Sequence, residues 1–484
     1  EAVEAEAVAL GVDAREDEEG GSDRMGEGNM RVSRYYSGGS WHMTGVCHRT
    51  DLEPGARLCG PVLIIEPHQT IVVEPGWDAK LNTAGNIVLE RVEALVKSAP
   101  VGTTADPVML EVFNNLFMSI AEQMGVTLRN TAHSVNIKER LDFSCAIFAA
   151  DGSLVANAPH MPVHLGSMDR SVESIIRQNE GRINPGDVFV LNAPYNGGTH
   201  LPDITVVTPV FDDAGREILF YTASRGHHAD VGGMAPGSST PRATHIDEEG
   251  VLIDNFKLVE DGRFREVEMR ETLTGHPWPA RNPDQNLADL QAQAAANEKG
   301  VTELRKMVTQ FGLDVVRAYM QHVQDNAEES VRRVLDVLGD CSADYPTDTG
   351  QTIRVCVTVD KKAREATVDF TGTSPAQPNN FNAPEPVTRA AVLYVFRLMV
   401  EGGIPMNAGC LKPIRIVIPD GCMLKPEYPS AVVAGNTETS QHVTNCLLQA
   451  LGAMANAQGT MNNLTYGNDR FQNYETLCSG APAG

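Results

Sequence analysis

The chain has 484 residues, 42% of them hydrophobic, and a formal net charge of −24 at neutral pH. That length is well above one typical domain, so two or more folded units with a large core are expected. The acidic balance argues against nucleic acid or an anionic membrane surface as partner, and no apolar run approaches the roughly 20 residues a membrane span needs, so a soluble, cytoplasmic protein is expected.

In chain order, Glu1-Ala-Val-Glu-Ala-Glu-Ala-Val8 reads as the middle of a helix, and Gly11 to Gly28 as an acidic linker. Residues 1–31 are assigned to that helix and linker. The start without Met and the stop at Ala-Pro-Ala-Gly484 suggest a fragment of a longer polypeptide. Residues 32–98 carry short β-runs at Arg31 to Tyr36, Pro61 to Ile65, Thr70 to Val73 and Asn86 to Leu89, a small all-β unit. His42, Cys47 and His48 within it are read as strand residues, because no second cysteine stands at metal spacing. The nine cysteines include no C-x-x-C, so reduced thiols are expected.

Residues 99–106 are read as a linker, and residues 107–484 as the main domain, opened by the cap Asp106 and by Pro107 at the first helical position. Phe113, Leu116, Phe117, Ile120, Ala121 and Met124 mark the packing face of this helix. The charged cluster Lys138, Glu139, Arg140 and Asp142 follows, either a substrate carboxylate site or an ion-pair network. Next come a hairpin at Ala150-Asp-Gly152 and the stretch Pro159-His-Met-Pro-Val-His164, whose prolines predict an extended loop into a helix from Ser167 to Gln178. His164, just ahead of that helix, is a candidate for acid–base work.

The centre of the chain is Asn192 to Gly233. Two β-rich runs, 204–211 and 216–224, flank Asp212-Asp-Ala-Gly215 and predict an antiparallel hairpin. A turn centred between Asp213 and Ala214 sets Asp203 opposite Ser224 and His200 opposite His227. The hairpin mouth then gathers His200, Asp203, His227, His228 and Asp230, a donor set suited to zinc, manganese or ferrous iron. A Gly/Pro/Ser loop follows to residue 241, then loosely alternating strands over 251–273 and a long helical segment from Asn282 to Leu338 with stops at Gly312 and Gly339. A strand from Ile353 to Val359 pairs with Glu365 to Phe370, a helix follows Pro386, Ile414 to Ile418 is a strand, and His442 to Ala457 is a helix. Asn436, Thr437 and Glu438 at its start are either substrate contacts or caps. No Gly-Lys dipeptide occurs, hence no P-loop. The fold class expected is α+β: a small all-β unit, then a large mixed domain with antiparallel hairpins and a long helical segment.

From Asp106 onward the chain resembles the hydantoinase B/oxoprolinase family. The matching motifs are Asn136-Ile-Lys-Glu-Arg-Leu-Asp-Phe-Ser-Cys145, Pro159-His-Met-Pro-Val-His-Leu-Gly-Ser-Met168, Gly197-Gly-Thr-His-Leu-Pro-Asp203, Ser224-Arg-Gly-His-His-Ala-Asp-Val-Gly-Gly233, Asp369-Phe-Thr-Gly-Thr373, Asn382-Ala-Pro384, Gly435-Asn-Thr-Glu-Thr-Ser-Gln441 and Gln458-Gly-Thr-Met-Asn-Asn463. Residues 1–95 look like the C-terminal end of the hydantoinase A partner. The resemblance implies ATP-dependent opening of a cyclic amide, 5-oxo-L-proline giving L-glutamate, as in glutathione metabolism. ATP and Mg would belong to a hydantoinase-A-like ATPase part that these residues lack, and the active protein would be a homo-oligomer. It also implies a divalent metal on His200, Asp203 and one of His227 or His228, with His228 taken as the ligand. His164, His227 and Asp230 are then the catalytic candidates, and Lys138, Arg140 and Asn436 contact substrate. Alternatives within the same resemblance are an N-methylhydantoinase, an acetone or acetophenone carboxylase subunit, or a non-catalytic assembly module.

Overall fold

The structure, a computed structural model, describes residues 31–37, 40–92, 102–158, 160–401, 404–457, 459–461, 463–468 and 472–477. The helix and acidic linker expected over 1–30 and the start of the linker at 99–101 lie outside these residues. The chain divides into two compact units, Glu1–Pro100 and Val101–Gly484. No described helix is long and apolar enough to cross a membrane.

In the first unit, β1 (Arg31–Ser37), β2 (Ser40–His48), β4 (Val62–Glu66) and β5 (Gln69–Val73) form one sheet in the order β1-β2-β4-β5. A second sheet has the order β3-β6-β7, from Arg57–Cys59, Trp77–Leu81 and Ile87–Arg91. Their alternating apolar residues meet in a core of Cys47, Leu58, Val62, Ile64, Val73 and Ala79.

The second unit is α+β. Its main sheet runs β14-β13-β10-β11-β12-β8-β9, every pairing antiparallel. The strands are β8 (Phe143–Ala149), β9 (Leu154–Asn157), β10 (Val188–Leu191), β11 (Asp203–Phe211), β12 (Ile218–His227), β13 (Phe256–Glu260) and β14 (Arg263–Phe264). Helix α1 (Pro107–Thr131) starts where the Asp106 carboxylate accepts the Met109 N–H at 2.9 Å, and it buries Phe113, Phe117, Ile120, Met124 and Leu128. A short turn α2 (Val135–Lys138) leads into β8, and α3 (Pro162–Leu165) carries His164 into α4 (Met168–Gln178). The loop expected at 160–164 is therefore helical at its end, because Pro162 occupies a first-turn position where its missing N–H costs nothing.

Residues 266–273, expected as strand, belong instead to helix α5 (Glu266–Thr274). The long segment splits at Gly312, whose φ of +88° suits glycine, into α6 (Pro283–Phe311, 29 residues) and α7 (Leu313–Val337, 25 residues). A polar stripe bolts α6 to the sheet. Gln293 Nε2 donates to the carbonyls of Ile204 and Ser224 at 2.9 and 3.1 Å, and Asn297 Nδ2 to Val206 O at 3.0 Å. With α6 on one face and α4 on the other, all nine residues of β11 are buried, so this strand lacks the polar alternation of a half-exposed one.

The hairpin β11/β12 pairs in a different register from the one the sequence suggested. Asp203 faces His227, and Val206 faces Ser224. The loop holds Asp212 to Glu217 rather than four residues, since Asp212 Oδ1 accepts the N–H groups of Arg216 and Glu217 at 2.6 and 3.2 Å. A bulge after Val210 absorbs the remainder.

A second sheet, β15 (Cys341–Pro346), β16 (Thr352–Asp360), β17 (Glu365–Asp369) and β18 (Ile414–Val417), packs against α8 (Glu385–Leu398) and α9 (Ser440–Leu451). Helix α9 is preceded by one π-turn, Gly435–Thr439, and ends at Gly452 with φ +61°. The helix expected to Ala457 thus stops earlier, at a left-handed glycine cap.

Candidate metal centre and pocket

The motif Gly197-Gly-Thr-His-Leu-Pro-Asp folds so tightly that side chains are excluded at its glycines. A Cβ on Gly197 would lie 2.4 Å from Arg170 O, and one on Gly198 2.2 Å from Asn192 O. Asn192 staples the same loop, donating to the carbonyls of Leu201 and Val251 at 2.8 and 3.0 Å and accepting the Ile253 N–H at 2.7 Å. His200 and Asp203 are thereby held against the last residue of β12.

Around Asp203 three imidazoles converge. His200 Nδ1 lies 3.0 Å and His164 Nε2 3.2 Å from Oδ2, and His227 Nδ1 lies 3.2 Å from Oδ1. Thr199 Oγ1 donates to Oδ2 at 2.7 Å. Asp142, at the end of the loop into β8, stands 3.9 Å from His164 Nε2 and 3.7 Å from His227 Nδ1. Asp203 is fully buried, and burial alone would raise its pKa; the charges of His200 and His164 outweigh that and hold it well below the usual carboxylate range. Burial pushes His200 down, only partly opposed by Asp203. Burial also lowers His227, but Asp142 and Asp203 outweigh it and leave it raised.

The donor atoms of His200, Asp203 and His227 lie within 4.8 Å of one another. His200 Nδ1 and Asp203 Oδ1 are buried yet make no hydrogen bond of acceptable geometry, despite their short separations. Two imidazoles and a carboxylate drawn this close, with His200 Nδ1 and Asp203 Oδ1 left without a hydrogen bond, fit a divalent cation.

This cluster floors a cavity of about 240 Å³. One wall is apolar, from Val387, Ala390, Ala391 and Tyr394 of α8; it sits close because a Cβ on Gly166 would lie 2.5 Å from Ala390 Cα. The other wall is polar, from Asn436, Thr437, Ser440, Gln441 and Thr444, and Met461 joins the lining from beyond α9. Asn436 Oδ1 is buried and has no hydrogen-bond partner.

Of the residues the sequence singled out, His164, His200, Asp203 and His227 come together, and Asn436 lines the same cavity. His228 does not join them. Its Nε2 lies 3.0 Å from Gln293 Oε1 and its Nδ1 3.1 Å from Asn286 Nδ2, so both ring nitrogens are taken by α6, and His227 occupies the position expected for it. Asp230 also turns away: it accepts the N–H groups of Gly232, Gly237 and Arg281 and pairs with the Arg281 guanidinium at 2.8 Å, tying the loop together. Lys138 is exposed and does not line the cavity. Arg140 is half-buried outside the lining, but its charge reaches His227. His160 is not a ligand. Its Nδ1 accepts the Cys145 N–H at 3.1 Å, and burial, helped by His164, pushes its pKa to about 4.

Asp142, named in the sequence only within a charged cluster, faces the imidazoles here, and two features escaped the sequence reading: the α8 wall and Glu249. Glu249 Oε1 accepts the N–H groups of Val432 and Val433 at 2.9 Å, which anchors the segment leading into Asn436. Burial pushes this carboxyl up to about 8, against the pull of the two N–H donors. The folded pKa is raised above the ordinary 4.5, so the stability this group contributes is full below that value and is lost as pH rises through about 8. Glu249→Gln keeps the acceptor but cannot ionise. Between pH 5 and 8 the wild type is therefore expected to lose stability relative to the variant, at up to about 1.4 kcal/mol per pH unit. Parallel urea-unfolding curves for the two proteins across that range would refute this.

A family model described as hydantoinase B/oxoprolinase matches residues 106–484. The chain is 47% identical over 483 residues to 5-oxoprolinase 1 of Arabidopsis thaliana, an alignment covering 94% of this chain and 38% of that protein. Among solved structures, the ATP-dependent caprolactamase of Pseudomonas jessenii superposes with a TM-score of 0.63 at 25% identity, covering 75% of this chain and 62% of that one. Nucleotide-free acetone carboxylase superposes with a TM-score of 0.62 at 15% identity, covering 72% of this chain and 48% of that one, a likeness of fold alone. The chain thus spans little more than a third of the length of the 5-oxoprolinases it matches.

Proposed function

The chain belongs to the hydantoinase B/oxoprolinase family, and from that premise we propose that it is the ring-opening part of an ATP-dependent cyclic-amide hydrolase whose substrate is 5-oxo-L-proline. The observation that carries this reading is the cluster of three imidazoles and two carboxylates on the floor of a 240 Å³ cavity, a space suited to one small ring. ATP and Mg act on a hydantoinase-A-like part outside these 484 residues. Cytoplasmic location, a homo-oligomeric state and a place in glutathione metabolism come with the family reading.

A lactam carbonyl is a poor electrophile, and phosphorylation of its oxygen by ATP makes the carbon reactive. Water then adds to that carbon, and the ring C–N bond breaks as a proton travels from the water to the departing nitrogen. A second water cleaves the resulting acyl phosphate, releasing inorganic phosphate and the side-chain carboxylate of glutamate. His164 Nε2 lies between the Asp203 and Asp142 carboxylates, 3.2 and 3.9 Å away. It takes the proton while both carboxylates stabilise the resulting imidazolium. Asn436 Oδ1, which lacks a partner in the free protein, accepts the ring N–H and sets the orientation of the ring. His200, Asp203 and His227 would hold a divalent zinc, manganese or ferrous ion, whose Lewis acidity supplies further polarisation when it is bound.

The test uses the full-length polypeptide that carries this chain, supplied separately with 5-oxo-L-proline, N-methylhydantoin, and acetone with bicarbonate. The expected result is glutamate and ADP in equal amounts from 5-oxo-L-proline, with no turnover of the other two. Bicarbonate-dependent consumption of acetone, or ring opening only of the hydantoin, would overturn the proposal. Undiminished glutamate release after His164→Ala and Asp142→Ala together would leave this part of the chain a non-catalytic assembly module.

A further inference from the structure

The segment after α9 turns back along that helix and supplies one residue, Met461, to the cavity lining. Helix α9 has 12 residues and is about 18 Å long, a span that about nine residues of extended chain can cover. Their return path is fastened at three places. Asn445 binds Ala457 twice, Nδ2 donating to its carbonyl at 3.0 Å and Oδ1 accepting its N–H at 3.2 Å. Gly459, with φ +74°, packs where a Cβ would lie 3.1 to 3.2 Å from His442, Asn445 and the Tyr345 hydroxyl. Glu438 Oε1 accepts the Thr460 hydroxyl at 3.0 Å and the Met461 N–H at 3.2 Å.

Glu438 belongs to the π-turn that also presents Asn436 and Thr437 to the cavity. The return segment and the polar wall are therefore one bolted piece, and the position of Met461 is set by the Glu438 carboxylate rather than by its own chain alone. We propose that Met461, latched by Glu438, is the specificity-determining residue that limits the ring size the cavity admits. This rests on the lactam reading above and deepens it: the ring stands between the His–Asp floor, the α8 wall and the Met461 side chain, so one added ring methylene must displace the thioether.

In a hydrophobic pocket one methylene is worth about 10- to 200-fold in discrimination. The experiment compares kcat/KM of the full-length enzyme for 5-oxo-L-proline and for its six-membered homologue, 6-oxopiperidine-2-carboxylate. Met461→Ala removes Cγ, Sδ and Cε, and it is expected to raise the six-to-five ratio about tenfold or more, while Met461→Leu, similar in volume, keeps the wild-type ratio. Glu438→Ala is expected to raise the ratio in the same direction, and the double variant to exceed Met461→Ala by less than twofold, because the latch acts through Met461. A ratio unchanged in Met461→Ala, or two effects that multiply, overturns the proposal even where the wild type opens the five-membered ring. No turnover of either ring by the wild type overturns both the proposal and the lactam reading.

Discussion

Replacing Arg225 by Met is expected to destabilise the larger unit by roughly 3–5 kcal/mol, read from the urea midpoint at constant m-value. This guanidinium lies at 0% exposure, and burial pushes its pKa down to about 10, still cationic at neutral pH, with the charges of Asp203 and Asp169 opposing the shift. Its Nε donates to Thr205 Oγ1 at 2.7 Å, one terminal nitrogen to Ser167 Oγ at 2.5 Å, and the other to Ser171 Oγ at 2.8 Å and Gly197 O at 3.3 Å. One side chain thus joins β11, the start of α4 and the loop that carries His200. Methionine would fill much of the volume but satisfy none of these acceptors, and it would leave the buried Asp203 with less compensating charge. Arg225→Lys keeps the charge while giving up the planar fork, so it should fall between the two. A Met variant within 0.5 kcal/mol of wild type would show that Arg225 is not the keystone its contacts describe.

Asp203→Asn carries the largest expected loss of activity, about 10²-fold or more in kcat/KM. Changes to groups that merely orient metal ligands already cost 10- to 100-fold, and Asp203 is both a candidate ligand and the counter-charge for His164, His200 and His227. The amide is nearly isosteric and can still accept from Thr199, so the fold should survive, with some loss of stability because buried Arg225 loses one of its two compensating charges. Removing the anion takes away the carboxylate that opposes the effect of burial on His200 and His227, so both shift further toward the neutral form. A cooperatively folded variant at the assay temperature with activity lost places the effect in the site rather than in folding. Activity retained within tenfold would remove Asp203 from the chemistry.

How much of this site could be seen beforehand depends on the kind of information each residue carries. His200, Asp203 and His227 were legible because a glycine-flanked loop and a hairpin mouth are local features, and the family motifs mark the same positions. The register was not: a turn of four residues looked sufficient, and only the Asp212 side chain caging two backbone N–H groups reveals a longer loop. His228 looked as good a ligand as His227, since neighbouring strand residues differ only in which face they use. What separates them is Asn286 and Gln293 on a helix some 60 residues later, a pairing that no local pattern contains. The α8 wall, and the place of Asp142 and Met461 on the cavity, were missed for the same reason: they come together through tertiary packing of segments far apart in sequence. The α+β class and the two long helices were readable from caps, glycine stops and periodicity.

The most direct test of the account is the metal content of the full-length protein after equilibrium dialysis against zinc, manganese or ferrous ion, wild type beside His200→Ala and Asp203→Asn. The account predicts about one tightly held ion per chain in the wild type, lost in both variants along with ring opening. A wild-type protein that binds none of the three ions and opens the ring at full rate in the presence of a chelator would contradict it.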